Sequence, residues 1–303
     1  MATLTNYSKL PDMMVAALSR DAHEMGKSHY SITQLLKSPR MLQLSRRHEG
    51  EVKRDAVDMW NSFIGTCVHG GIHEKIENNP DYIVEQRLEM QWGDKTIGGT
   101  PDVVDKPDKT VYDHKTMQTS AFGLEAKADY EAQLNIYAYM LEKNGVPIDN
   151  LFINAIYLDW RVAAAKSAEP GKYPDAPVRL VPVKKWSKEV TEAFIEARVA
   201  LHSAAELLED HELPECSAEE CWESPQKLAI YRPGGLRALK LCANYREVDD
   251  WLVWKKIPRR EVNIVDRPRT RRRCEMYCDS APFCNQYREW REQAIKEQTD
   301  NAE

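Results

Sequence analysis

The sequence predicts an α/β fold, a mixed β-sheet flanked by helices, followed by a small cysteine-bearing module. Three observations carry that prediction. Helical stripes alternate with β-rich runs through the first two-thirds of the chain. Every cysteine except Cys67 lies beyond residue 215, which sets the last third apart. The length of 303 residues, 42% of them hydrophobic, suffices for one large domain with an appendage.

The elements follow in order. Ser31-Ile-Thr-Gln34 has the pattern of a capping box opening a short helix, Ile32 to Leu36, which Pro39 interrupts. Ile64, Val68, Ile72 and Ile76 recur every fourth residue and predict a helix with a buried stripe. Gly70 and Gly71 inside it each cost about 1 kcal/mol relative to Ala, so either something approaches the backbone there or the helix is weak. Strand-like runs span Tyr82 to Trp92, Thr96 to Asp105 and Thr110 to Thr116. A second helix runs from Ala128 to Lys143 and ends at Asn144-Gly145 and Pro147. Strands return at Leu151 to Ala164 and Val178 to Trp186, around a Pro- and Gly-containing loop at Glu169 to Pro177. A long amphipathic helix, Lys188 to Glu209, closes a core assigned to residues 1–210. Residues 211–303 form the C-terminal module, packed on that core.

Charged residues make up 30% of the chain, and no stretch is apolar enough for a bilayer span. Met1 to Arg20 lacks the basic start and apolar run of a secretory leader, so the cytoplasm is the expected location. In a reducing compartment, clustered thiols bind metal or stay free more often than they pair. The net charge of −6 excludes a uniformly basic coat but not a local basic channel. Arg267, Arg269, Arg271, Arg272 and Arg273 crowd together, preceded by Lys255, Lys256, Arg259 and Arg260.

The chemistry concentrates in one hairpin. Asp105 to Thr110 is turn chemistry between two β-rich runs. Centred between Pro107 and Asp108, the hairpin pairs Val104 with Val111, Val103 with Tyr112 and Asp102 with Asp113. Opposed Cβ atoms stand roughly 5 Å apart. Lys115 shares the face of Asp113 because strand side chains alternate. Two carboxylates that close repel unless a cation lies between them or one is protonated. Lysine offsets part of the repulsion, and a hard divalent cation such as Mg²⁺ or Mn²⁺ suits the oxygen ligands. An ordinary salt-bridged Asp–Lys trio has the same pattern.

Gly99-Thr-Pro-Asp102 followed by Tyr112-Asp-His-Lys115-Thr116 resembles the PD-(D/E)XK nuclease signature. Upstream, Gly65-Thr-Cys-Val-His69 resembles the G-x-x-x-H helix of RecB-like members, and Gln133-Leu-Asn-Ile-Tyr137 resembles their Q-x-x-x-Y motif. The resemblance covers residues 30 to 186 and implies a restriction-endonuclease-like core that hydrolyses DNA with Mg²⁺ or Mn²⁺. It makes His69, Asp102 and Asp113 metal ligands, with the backbone carbonyl of His114 a further one, and Lys115, Gln133 and Tyr137 assistants. Glu74 is a weaker ligand candidate. Tyr137 also lies on an apolar stripe with Leu134, Ala138 and Leu141, and so fits a core position. His69 and His73, one turn apart, fit a zinc hydrolase instead, although the H-E-x-x-H pattern is absent. A DNA-binding protein that has kept the scaffold without the chemistry is the other rival.

Cys274, Cys278 and Cys284 form a compact trio that suggests a metal site. It resembles the late cysteines of iron–sulfur-bearing RecB-like nucleases, whose early partner would fall at Ser38 here. Cys216 is the substitute fourth ligand, with Cys221, Cys242 and Cys67 behind it. Four thiolates suit either a [4Fe–4S] cluster or structural zinc. Arg271, Arg272 and Arg273, interleaved with Tyr277, Phe283, Tyr287 and Trp290, suit contact with single-stranded DNA. The expected substrate is single-stranded DNA or duplex ends, processed in recombination or repair in a phage or bacterium. A helicase or recombination protein is the expected partner.

Overall fold

The computed structural model describes residues 3–19, 28–123 and 127–300. The reading of Met1 to Arg20 therefore falls partly outside the described residues. The chain divides into two compact units. One holds the residues up to Lys37 and Lys53–Glu206; the other holds Ser38–Val52 and the chain from Leu207 onward.

The first unit is built on a five-stranded sheet ordered Val178–Val183, Asn150–Tyr157, Thr110–Met117, Val103–Asp105 and Tyr82–Val84. Thr110–Met117 is central, antiparallel to Val103–Asp105 and parallel to Asn150–Tyr157. A parallel neighbour demands a crossover, and the Ala128–Lys143 helix supplies it. All ten residues from Ala132 to Leu141 are buried, so this helix is covered around its whole circumference. Asp129 and Glu131 sit in its first turn, where they favour the helix dipole. Asn144 caps its end, and Gly145 follows at φ +80°, as the Asn-Gly stop predicts. The fold is mixed α/β with helices on mixed sheets, of the restriction-endonuclease-like type.

Several expectations needed correction. Tyr82 to Trp92 and Thr96 to Asp105 are not continuous strands. Each is divided between the five-stranded sheet and a three-stranded one ordered Tyr30–Ser31, Lys95–Gly99, Leu88–Trp92. The breaks fall at Glu85, which takes a left-handed φ of +47°, and at Pro101, which has no N–H to donate. The end of the predicted Leu151–Ala164 strand is a helix, Val162–Ser167, after the strand stops at Tyr157. Pro39 opens a helix, Pro39–Arg47, at its first turn, where the missing N–H costs nothing. The capping box at Ser31 and Gln34 forms as predicted.

The Trp60–Ile76 helix forms, but its aliphatic stripe is only half-buried. The residue it buries is His73, 4% exposed. Beside Gly70 and Gly71 a Cβ would meet nothing within 4 Å. Among the described residues, nothing approaches there.

In the second unit, a three-stranded sheet ordered Lys240–Cys242, Lys227–Tyr231, Asn263–Arg267 packs against the Tyr245–Lys255 helix. Leu228, Ile230, Cys242, Val248, Leu252 and Val262 form their common core. Arg40, only 2% exposed, is held by the carbonyls of Leu213 and Pro214 and by Asn285 Oδ1. Among the described residues, no helix is long and apolar enough to cross a membrane.

Candidate active site

The hairpin forms in the register the turn dictates, with Val103 opposite Tyr112, Val104 opposite Val111 and Asp105 opposite Thr110. Asp102 lies just beyond the last ladder pair. Its Oδ2 accepts the backbone N–H of His114 at 2.6 Å, which fixes the carboxylate beside the central strand. Asp113 is 2% exposed, and its Oδ2 lies 2.5 Å from Lys115 Nζ. Burial raises the Asp113 pKa, with the Asp102 carboxylate adding to the rise. Burial works against the Lys115 ammonium, but the charge and hydrogen bond of Asp113 together with the Asp102 charge hold its pKa above the ordinary value. Lys115 Nζ lies 5.2 Å from the centre of the Tyr130 ring.

The Trp60–Ile76 helix brings His69 to the same place, its Nδ1 3.6 Å from Asp102 Oδ2. One turn earlier, Gly65 faces Thr116, whose Oγ1 would lie 3.8 Å from a Cβ there. From the crossover helix, Gln133 Nε2 donates to the Tyr137 hydroxyl at 3.3 Å. Tyr137 is 4% exposed, and burial lifts its pKa far above the ordinary value. Its ring packs against Gly99, where a Cβ would stand 2.7 Å from Tyr137 Cε1 and 2.6 Å from Ile32 Cδ1. Glycine at 99 is thus a condition for Tyr137 to reach the site.

The site gathers two carboxylates, a lysine and an imidazole at one end of the central strand. The sequence profile of the PD-(D/E)XK nuclease superfamily matches residues 16–227, a span that includes all of them. The chain belongs to the PD-(D/E)XK nuclease superfamily. A search of the curated proteins finds no match. Among solved structures, the chain is similar to the protein SSO0001 at 14% identity and a TM-score of 0.43, covering 63% of this chain and 85% of that one. It is also similar to a protein described as a candidate exonuclease from Eubacterium rectale, at 12% identity and a TM-score of 0.28. That match covers 45% of this chain and 50% of the other.

Within this PD-(D/E)XK chain, the other predicted residues fall as follows. Glu74 is exposed and pairs with Lys75 at 3.0 Å. The His114 ring is buried, 4% exposed, with Nδ1 3.1 Å from Asn154 Nδ2. Its pKa is lowered to about 4, by burial first and then by His69 and His73. Sequence reasoning missed Glu85, whose Oε1 stands 3.1 Å from His73 Nδ1. Its only signal was an acidic residue interrupting a β-rich run.

In the second unit, Cys216, Cys221, Cys274, Cys278 and Cys284 line one pocket together with Arg271. Cys242 lies in the separate core described above, and Cys67 is exposed. The Cys216 thiol donates to Ser38 Oγ at 3.2 Å. Its contact with Cys221, and then burial, raise its pKa well above the ordinary thiol value. For Cys221, the Cys216 contact lowers the pKa, but Cys274 and burial prevail and push it up to about 12. The three predicted DNA-binding arginines differ in setting. Arg271 pairs with Glu223 at 2.7 Å, Arg273 stacks over Trp222 at 5.2 Å, and Arg272 is exposed.

Proposed function

We propose that this PD-(D/E)XK chain is a divalent-metal-dependent DNA nuclease of the RecB-like branch, an exonuclease that processes DNA ends in recombination or repair. The observation that carries the reading is the meeting of Asp102, Asp113, Lys115 and His69 at the end of one strand. Asp113 Oδ2 is buried against Lys115 Nζ, and the Asp102 carboxylate close by adds a second negative charge, a setting suited to a further cation. The donor set of two carboxylates, one imidazole and the His114 carbonyl fits Mg²⁺ or Mn²⁺. Such an ion, once bound, lowers the pKa of its water and neutralises charge developing on the phosphate.

The chain's own groups do the rest. Lys115, held protonated by Asp113, meets negative charge as it grows on the phosphoryl oxygens. The His114 amide keeps Asp102 facing Asp113 and so fixes the spacing of the two carboxylates. Gln133, braced by Tyr137, offers its amide to the substrate backbone. End processing, rather than site-specific cleavage, is part of the same proposal. A helicase or recombination protein as partner belongs to the same proposal, as does a cytoplasmic location.

In the second unit, Cys216, Cys274, Cys278 and Cys284 would hold a [4Fe–4S] cluster or zinc, with Cys221 within reach of the same pocket. Five thiols around one pocket suit either group. The raised thiol pKa values mean that protons must leave when the thiolates ligate. Arg272 has the exposure needed to meet DNA phosphates.

The test is degradation of end-labelled single- and double-stranded DNA with Mg²⁺, Mn²⁺ or EDTA. Cutting by the wild type that needs metal and is lost in Asp113→Ala and Lys115→Ala is expected. Folded, metal-loaded wild type that binds DNA without cutting it would favour the DNA-binding rival.

A further inference from the structure

Three histidines meet beside the carboxylate site. The Trp60–Ile76 helix contributes His69 and His73, one turn apart, with ring centres separated by 6.0 Å. The central strand contributes His114, its ring centre 5.4 Å from that of His69 and 5.7 Å from that of His73. Glu85 adds a carboxylate oxygen 3.1 Å from His73 Nδ1. The four side chains come from three elements far apart in sequence.

Two of these rings are buried in a way that calls for a partner. His73 and His114 are each 4% exposed. His73 Nδ1 faces the Glu85 carboxylate, but the Nε2 atoms of His73 and His114 are buried without a hydrogen-bond partner. Burying an imidazole nitrogen without a partner costs free energy of the order of 1–3 kcal/mol. Native interiors satisfy such atoms, so two of them on neighbouring rings need an explanation.

We propose that His69, His73 and His114, with Glu85 as the fourth donor, form a second metal site for a borderline transition ion such as Zn²⁺. Imidazole nitrogen suits zinc, whereas magnesium prefers oxygen. With Zn–N near 2.0–2.1 Å, ring centres about a tetrahedral ion stand roughly 5 Å apart. The observed separations exceed that by about 1 Å or less. Among the described residues no group of three His, Cys, Asp or Glu side chains is placed to hold a metal ion as it stands, so the proposed site requires the three rings to turn toward a common point.

The site shares His69 with the carboxylate centre, where His69 Nδ1 stands 3.6 Å from Asp102. Resting on the nuclease reading, a further consequence follows. An ion drawn to the three rings competes for His69, so micromolar Zn²⁺ inhibits the Mg²⁺-dependent reaction.

Metal-stripped full-length protein is titrated with Co²⁺. Tetrahedral Co²⁺ absorbs in the visible at thiolate as well as imidazole sites, so the visible bands scored are those of the wild-type-minus-variant difference, and the near-ultraviolet charge-transfer bands, which only the cysteines give, serve as the control. Visible bands in the wild type that are lost in both His73→Ala and the size-conserving His73→Gln, with the thiolate bands unchanged, are the expected result. Visible bands of equal strength in wild type and both variants, each with native circular dichroism, would overturn the site. In DNA cutting with Mg²⁺, His73→Gln is expected to need at least tenfold more Zn²⁺ for half-inhibition. Absence of cutting under every condition bears on the nuclease reading alone, because the cobalt bands decide the site.

Discussion

Cys216 directs its thiol at the hydroxyl of Ser38, 3.2 Å away, across 178 residues of sequence. In the proposed metal site, Cys216 would stand in for a cysteine at position 38. Changing Cys216 to Ala should therefore lower the iron or zinc that copurifies with the chain. Adding Ser38→Cys to that variant should restore it. Metal content per chain, measured by emission spectroscopy, decides the matter; equal content in all three proteins would sink the assignment.

Metal binding by the hairpin should appear in stability as well as rate. At a concentration one hundredfold above Kd, a ligand bound only by the native state adds about 2.7 kcal/mol. Mn²⁺ should raise the Tm of the wild type by several degrees and leave Asp102→Ala and Asp113→Ala unmoved. Differential scanning calorimetry with and without EDTA reads this directly.

The glycines separate by what surrounds them. Gly99→Ala forces a Cβ against Tyr137 and Ile32, and overpacking of this kind costs about 1–3 kcal/mol. Its Tm should fall, and cutting should fall with it as Tyr137 is displaced. Gly70→Ala and Gly71→Ala enter open space on a helix and should each stabilise by about 1 kcal/mol. Thermal melts of the three single variants should therefore move in opposite directions.

The second unit carries a pH-dependent clamp. His48 lies between Asp210 Oδ2 at 2.8 Å and Glu51 Oε1 at 2.7 Å, stacked on Phe283. Hydrogen bonds to Asp210 and then Glu51 raise its pKa above 6.5. The stabilisation is thus complete below 6.5 and is lost as pH rises through the raised value. Asp210, its pKa held below 3.8 mainly by the bond to His48, loses its share in acid instead. Between mildly acidic and alkaline pH the wild-type Tm should decline more steeply than that of His48→Gln. Parallel curves would contradict this.

Among the arginines, only Arg272 should behave as a phosphate contact. Arg272→Ala should weaken binding of oligo(dT) and reduce the salt slope by about 1. Arg271→Ala and Arg273→Ala, which remove the Glu223 pair and the Trp222 stack, should lower Tm instead. Fluorescence anisotropy across a salt series distinguishes the two behaviours.

Local signals were legible in the sequence. The Asp105–Thr110 turn specified the hairpin register, and the capping box and Asn-Gly stop specified helix ends, because each is settled within a few residues. What remained hidden was set by distant partners. Nothing near Ile64 or Val68 reveals that His73, rather than the aliphatic stripe, is the residue buried. The division of Tyr82–Trp92 between two sheets depends on a left-handed Glu85, a residue type without strong preference for that conformation. The grouping of three imidazoles joins a helix to a strand more than 40 positions away, which periodicity within either element cannot register.

Ser38–Val52 belongs with the chain beyond Leu207, and that has a temporal consequence. A ribosome adding about 5–20 residues per second needs on the order of ten seconds or more to pass from one to the other. Throughout that interval Arg40 lacks Leu213, Pro214 and Asn285, the acceptors that neutralise its burial. The unit holding the six later cysteines is thus completed only after the segment from Leu207 onward has been made. A nascent chain arrested before Asn285 would present a basic, half-made helix to chaperones and proteases, not a finished cysteine-lined pocket.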